Sequence, residues 1–250
     1  MHVYTTHHPI GVVAAIVPWN AQMFLTATKL APALAAGCSI IIKASEIAPC
    51  SLFELAKLID QAGFPKGVVS VVTGDSDNCA IPLTSHPGID RIAFTGGTET
   101  AKKIIKNSAN NFAATNLELG GKSPIVIFDD ADIESAANGI IAGNFGASGQ
   151  SCVAGSRVIV QKNIAPKLID IIKQKSENII VGNPLDPKTN LGPLCTSKQI
   201  EIIENTINKS VSQGAEIIFG GKKIEKEGNY FEPTLIYCPH RDIETLKIEM

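Results

Sequence analysis

The strongest constraint on how this chain folds is a repeated unit: an apolar run of about five residues, a turn, and a segment with helical spacing. Gly11-Val-Val-Ala-Ala-Ile-Val17 reads as a strand apolar on both sides, and Phe24–Ala36 as a helix that stops at Gly37. Ser39–Lys43 is a second strand. Pro49 opens a helix through Gln61, closed by Gly63 and Pro65. Val68–Val72 is a strand ending at Thr73-Gly74, and Asp90–Phe94 leads into a helix from Thr98 to Asn107. Strands of this kind are stable only in a sheet covered on both faces, and parallel strands need crossover helices to join them. The pattern therefore predicts an α/β fold built on an open, doubly wound parallel sheet, Rossmann-like in its order of elements. Ligands bind such sheets beyond the carboxyl ends of the strands, so Asn20, Lys43, Gly74–Asp75 and Thr95–Gly97 are expected to converge on one crevice.

A second part follows. Ala114–Leu119 is read as an apolar strand, and Gly120-Gly-Lys-Ser-Pro124 turns the chain, which places a domain boundary there: residues 1–120, then 121–250. Beyond it come a strand at Ile125–Phe128 and a helix at Ile133–Phe145, which runs into Gly146-Ala-Ser-Gly-Gln-Ser-Cys152. A strand at Arg157–Gln161, helices at Pro166–Glu177 and Lys198–Gln213, and a short strand at Glu216–Phe219 complete it. This is the first part of a second α/β domain.

Charge and thiol content exclude several functions. Lys plus Arg number 22 against 24 Asp plus Glu, a net charge of −2, so no bulk positive field draws the chain to nucleic acid or an anionic membrane. Apolar stretches such as Val12–Val17 are far short of the ~20 residues that span a bilayer. The first residues lack the basic, apolar and small-residue order of a secretory leader, and the expectation is a soluble, cytoplasmic protein. The six cysteines, Cys38, Cys50, Cys79, Cys152, Cys195 and Cys238, show neither paired nor metal-ligand spacing. They are expected to be reduced thiols, mostly buried and inert, with no metal site. His2, His7, His8, His86 and His240 fall in no motif and are expected at the surface.

Five short segments carry chemistry when taken in order: Pro18-Trp-Asn20, Lys43-Ala-Ser-Glu46, Phe94-Thr-Gly-Gly-Thr-Glu99, Glu118-Leu-Gly-Gly-Lys-Ser-Pro124 and Gly149-Gln-Ser-Cys152. At these separations the chain resembles the NAD(P)-dependent aldehyde dehydrogenase superfamily from about His8 to its end, as the central portion of a member truncated on both sides. The resemblance implies oxidation of an aldehyde to its acid with NAD. Cys152 is then the nucleophile, Glu118 the general base and Asn20 the oxyanion donor. Lys43 and Glu46 hold the adenine ribose, Gly96, Gly97 and Gly120 lie against the cofactor, and Glu249 grips the nicotinamide ribose. A carboxylate at 46 repels a 2′-phosphate, which favours NAD over NADP. Alanine replaces the family's usual proline at 44, and Gly97 stands where many members have serine. Lys29 corresponds to a lysine linked to proton relay.

Each residue also has an ordinary reading: Asn20 as a helix cap, Lys29 or the Lys43–Glu46 pair as solvated charges, Glu118 as a strand-end rim residue. The resemblance sets Glu118 instead in a partly dry crevice. The partners it implies are a small aldehyde and, in the family, further copies of the same chain, although truncation puts the oligomer in doubt. Two rival functions stand beside it: an inactive nucleotide-binding remnant, and a redox-sensing thiol protein that would need a resolving partner for Cys152.

Overall fold

The computed structural model describes residues 1–249, and the chain divides into two compact units, Met1–Leu119 and a second beginning at Gly120. In the first unit, β1 (Val12–Ile16), β2 (Ser39–Ala44), β3 (Val69–Thr73), β4 (Arg91–Gly96) and β5 (Ala114–Leu119) form one parallel sheet in the order β3-β2-β1-β4-β5. The helices are α1 (Gln22–Ala35), α2 (Cys50–Gln61), α3 (Ile81–Ser85) and α4 (Thr98–Ser108).

Alternation along the strands divides the core into two layers. Val13, Ala15, Ile40 and Ile42 pack with Leu30 and Ala33 of α1 and Leu52 of α2, while Ala14, Ile16, Ile92 and Phe94 pack with Ala101 and Ile104 of α4. Burial on both sides is what makes β1 read as a continuous apolar run. Gly11, at φ +120, supplies a turn in which the Asp90 carboxylate accepts from the Val12 N–H at 2.8 Å. Gly37, at φ +78, ends α1.

Three features differ from the sequence reading. α1 starts two residues earlier, at Gln22, because Ala21 takes the left-handed conformation (φ +45) just before it. A π-helical turn, Ser76–Ala80, and α3 fill the connection between β3 and β4, where composition gave no helical period. β5 is not an apolar strand: it is the sheet's edge, and most of Ala-Thr-Asn-Leu-Glu-Leu is exposed.

The second unit is also α/β. β6 (Pro124–Ile127) and β7 (Arg157–Val160) pair in parallel, and α5 (Ile133–Phe145) and α6 (Ala165–Ser176) cover them through Ile127, Ala137, Ile140, Leu168 and Ile172. α7 (Ser197–Ser212) precedes an antiparallel pair, β8 (Glu216–Phe219) and β9 (Leu235–Tyr237), of which β9 was not expected. The Asp132 carboxylate caps α5 by accepting from the Ser135 N–H at 2.7 Å. Among the described residues no helix is long and apolar enough to cross a membrane.

Candidate functional site

In the first unit the strand registers set the carboxyl ends along one edge: Ile16 lies beside Lys43 and Phe94, Ala44 beside Thr73, and Thr95 beside Glu118. Asn20 follows β1 on that edge. It is not the residue that caps α1, since Ala21 occupies that position and offers no side-chain oxygen.

Lys43 is buried near the end of β2 and its Nζ donates to Glu46 Oε2 at 2.7 Å. It is therefore no solvated charge, although Glu46 itself stays more than half exposed. Partial burial raises the Glu46 carboxyl, but the hydrogen bond from Lys43, one from its own backbone N–H and the charge of Lys43 together outweigh that and hold it below the ordinary carboxylate range; Asp75 acts the other way. Asp75 follows β3. It accepts from the Asn78 backbone N–H at 2.8 Å and from Asn78 Nδ2 on both oxygens, and these bonds lower its carboxyl, with Lys43 adding a smaller pull.

Lys29, expected as either a relay or a solvated residue, is buried and its Nζ donates to Thr95 Oγ1 at 2.6 Å, tying α1 to the end of β4. Next comes Gly97, which precedes α4 in an extended conformation, so no side chain caps the first N–H groups of this 11-residue helix. A Cβ at Gly97 would meet nothing within 4 Å, whereas one at Gly96 would press on the Phe94 ring. Glu99 in that first turn is paired with Lys102 at 2.7 Å. Donors and acceptors for ribose hydroxyls at Lys43–Glu46, together with an uncapped helix start for a pyrophosphate, fit a dinucleotide such as NAD. Glu118 corrects one expectation. It is exposed rather than held in a dry crevice, because β5 has no strand on its outer side within this unit.

In the second unit Cys152 is half-buried in the loop after α5. The approach is unusual: Ala147, Ser148 and Gly149 have φ of +52, +55 and +72, a left-handed run that costs about 1 kcal/mol or more for each non-glycine residue. The loop is braced against 192–195. Ser148 Oγ donates to the Gly192 carbonyl at 3.1 Å, and the Cys195 N–H donates to Gln150 Oε1 at 2.8 Å. Sequence reasoning missed this brace, since nothing in 192–195 marks it as a neighbour of 150.

The resemblance put both Gly120 and Glu249 at the cofactor, and the structure sets them against each other: a Cβ at 120 would overlap the Glu249 carboxylate. Lys122, which the sequence did not single out, lies nearby. Burial pulls its ammonium below the ordinary lysine range, Arg157 acts in the same sense, and Cys238 and Glu249 oppose it. Arg157 Nε donates to the Lys122 carbonyl.

Of the thiols expected to be mostly buried, Cys38 is buried, whereas Cys50, the first residue of α2, is exposed and Cys79, Cys195 and Cys238 are half-buried. Burial pushes the Cys195 and Cys238 thiols up. All five histidines are exposed. Among the described residues, no group of three or more His, Cys, Asp or Glu side chains is placed to hold a metal ion.

Comparison with known proteins covers both units. The aldehyde dehydrogenase family matches residues 1–250. A (Z)-2-((N-methylformamido)methylene)-5-hydroxybutyrolactone dehydrogenase of Acinetobacter baylyi is 52% identical over 238 residues, which are 95% of this chain and 49% of that one. A peroxisomal aminoaldehyde dehydrogenase of Malus domestica is 45% identical over 230 residues, 91% and 46% of the two chains. Among solved structures, a variant of the Bacillus cereus aldehyde dehydrogenase superposes with a TM-score of 0.95 at 38% identity, covering 98% of this chain and 50% of that one. The Staphylococcus aureus betaine aldehyde dehydrogenase in complex with NAD+ gives 0.94 at 38% identity, covering 96% and 49%. The chain thus spans about half the length of the relatives it matches.

Proposed function

Because the chain belongs to the aldehyde dehydrogenase family, we propose that it carries the cofactor-binding and nucleophile-bearing portions of an enzyme that oxidises an aldehyde to its carboxylic acid with NAD. The observation that supports this reading is the family match over residues 1–250, and Asn20, Glu118 and Cys152 are the residues that the sequence motifs put forward for its chemistry.

Cys152 Sγ attacks the aldehyde carbon and forms a hemithioacetal. A cysteine splits one difficult step into two easier ones, and its thiolate is the reactive form. The Asn20 side-chain amide donates to the oxyanion, and one such donor is worth about 3–4 kcal/mol in the transition state. NAD, when bound, would supply the hydride acceptor that conversion of the hemithioacetal to a thioester needs. The Glu118 carboxylate then takes a proton from water, which attacks the thioester and releases the acid and the free thiol. Lys43 and Glu46 would hold the adenine ribose, the start of α4 the pyrophosphate, and Glu249 the nicotinamide ribose. The left-handed run at 147–149, braced by Gln150 and Ser148, supports a role for this loop in fixing the sulfur, since such strain persists only where its surroundings impose it.

The test is NADH formation by the purified chain, followed by absorbance, with acetaldehyde, betaine aldehyde and an aminoaldehyde as substrates. Cys152→Ala should abolish it. Glu118→Gln should keep a first-turnover burst while slowing the steady state. Full activity in Cys152→Ala refutes the nucleophile assignment, and NAD binding without turnover on any aldehyde assigns the chain to nucleotide binding alone.

A further inference from the structure

The Lys43–Glu46 pair is largely neutralised within itself, with Nζ and Oε2 at 2.7 Å. A 2′-phosphate brought to that pair would meet little net charge, so Glu46 alone is a weak barrier to NADP. The neighbouring strand supplies what is missing. Ala44 and Thr73 are register partners, and Thr73 Oγ1 donates to the Ala44 carbonyl at 3.5 Å. Glu46 and Asp75 each lie two residues beyond those partners, on adjacent chains leaving the same edge. Asp75 is oriented by three hydrogen bonds with Asn78, and its charge acts on Glu46, raising that carboxyl. Two carboxylates therefore leave the same end of the sheet on adjacent chains, and only Glu46 is paired with the Lys43 ammonium.

We propose that Asp75 is a second cofactor-specificity residue, whose carboxylate, on the chain adjacent to the Lys43–Glu46 pair, excludes a 2′-phosphorylated adenine nucleotide and so selects NAD over NADP. The inference rests on the proposed binding of NAD. Asp75 also has a plain structural role, since its side chain caps the turn at 76–80. Asparagine fills that role as well as aspartate does, so Asp75→Asn removes the charge and keeps the cap.

The experiment is calorimetric titration of the full chain and of its Asp75→Asn and Asp77→Asn variants with NAD, NADP, 5′-AMP and 2′,5′-ADP. A unit charge acting on a phosphate across several ångströms of partly solvated space changes affinity by about tenfold. Asp75→Asn should tighten 2′,5′-ADP and NADP by about that factor and leave 5′-AMP and NAD within about twofold. The gain should shrink in 0.5 M salt as screening shortens the field's reach. Asp77→Asn, a carboxylate of the same turn without hydrogen bonds from Asn78, should produce a much smaller change. An unchanged NADP-to-NAD ratio in Asp75→Asn, in a chain that binds NAD, overturns the inference, as does an equal change in Asp77→Asn. A wild-type chain that binds neither NAD nor 5′-AMP overturns the cofactor reading itself, and this inference with it.

Discussion

Replacing Ile42 by alanine tests whether the packed sheet is what holds Lys43 at the crevice. Ile42 is fully buried in β2, lies beside Ala15 of β1 and Val71 of β3, and packs in the layer that includes Leu30, Ala33 and Leu52. Three carbons are removed, at about 0.8 kcal/mol each for transfer out of water, or roughly 2.4 kcal/mol. The space left, roughly 80 Å³, adds up to about 2 kcal/mol at 24 cal/mol per Å³ if the neighbours stay put. Partial collapse brings the expected loss to about 3–4 kcal/mol, a large part of the 5–15 kcal/mol that stabilises an ordinary domain. The chain has a single tryptophan, Trp19, which lies in the first unit. Its fluorescence in urea therefore reports that unit's unfolding. With a slope of about 2 kcal/mol per molar, the midpoint should fall by about 1.5–2 M at unchanged slope. Ile42→Val should cost about 1 kcal/mol. Ile105→Ala, on the exposed side of α4, should stay within about 0.5 kcal/mol. An Ile42→Ala protein within 1 kcal/mol of wild type, or an equal loss in Ile105→Ala, would show that the layer read from the alternation does not carry the sheet.

Three further outcomes are expected. Glu46, with its carboxyl lowered in the fold, stabilises the chain above its ordinary value near 4.5 and loses that contribution as pH falls through the lowered value. The gap in urea midpoint between wild type and Glu46→Gln should therefore be present at pH 6 and shrink as pH falls below about 4.5. Because the side chain is over half exposed, it should not exceed about 1 kcal/mol; a gap that widens on acidification refutes the ion pair. In brief iodoacetamide labelling at pH 7.5 read by mass spectrometry, Cys50 should react several-fold faster than Cys195 and Cys238, whose thiols burial pushes up. Gln150→Ala should cost about 1 kcal/mol through loss of the bond from the Cys195 N–H and should speed limited proteolysis near 147–153, whereas Gln150→Glu keeps the acceptor and should not.

The central strands of the first unit are legible in the sequence because they are apolar on both sides, a requirement that leaves its mark on every residue of β1 and on Ile40, Ile41 and Ile42 of β2. β5 shows the limit of that reasoning: an edge strand needs no such composition, and Ala-Thr-Asn-Leu-Glu-Leu was assigned the character of its neighbours. The π-helical turn and α3 were illegible because five-residue elements are too short to display a period. For the site, strand-end position can be read once the topology is inferred, so Asn20, Lys43, Glu46 and Gly97 were found from short motifs and their order. Lys29 was undecided between relay and solvent because only the packing of α1 against β4 brings its amine to Thr95.

Composition and local order by themselves determined that the chain has α/β architecture, with a doubly wound parallel sheet and chemistry-bearing residues beyond its strands, since strand period, burial and turn chemistry are properties of neighbours in sequence. The tertiary structure alone decided which distant residues share a field or a hydrogen bond: Asp75 with Lys43 through the β2–β3 register, Gln150 with the Cys195 backbone, Gly120 with the Glu249 carboxylate. Coulomb and hydrogen-bond energies depend on distance in space, and the chain order that separates these partners carries no record of that distance until the layers have packed.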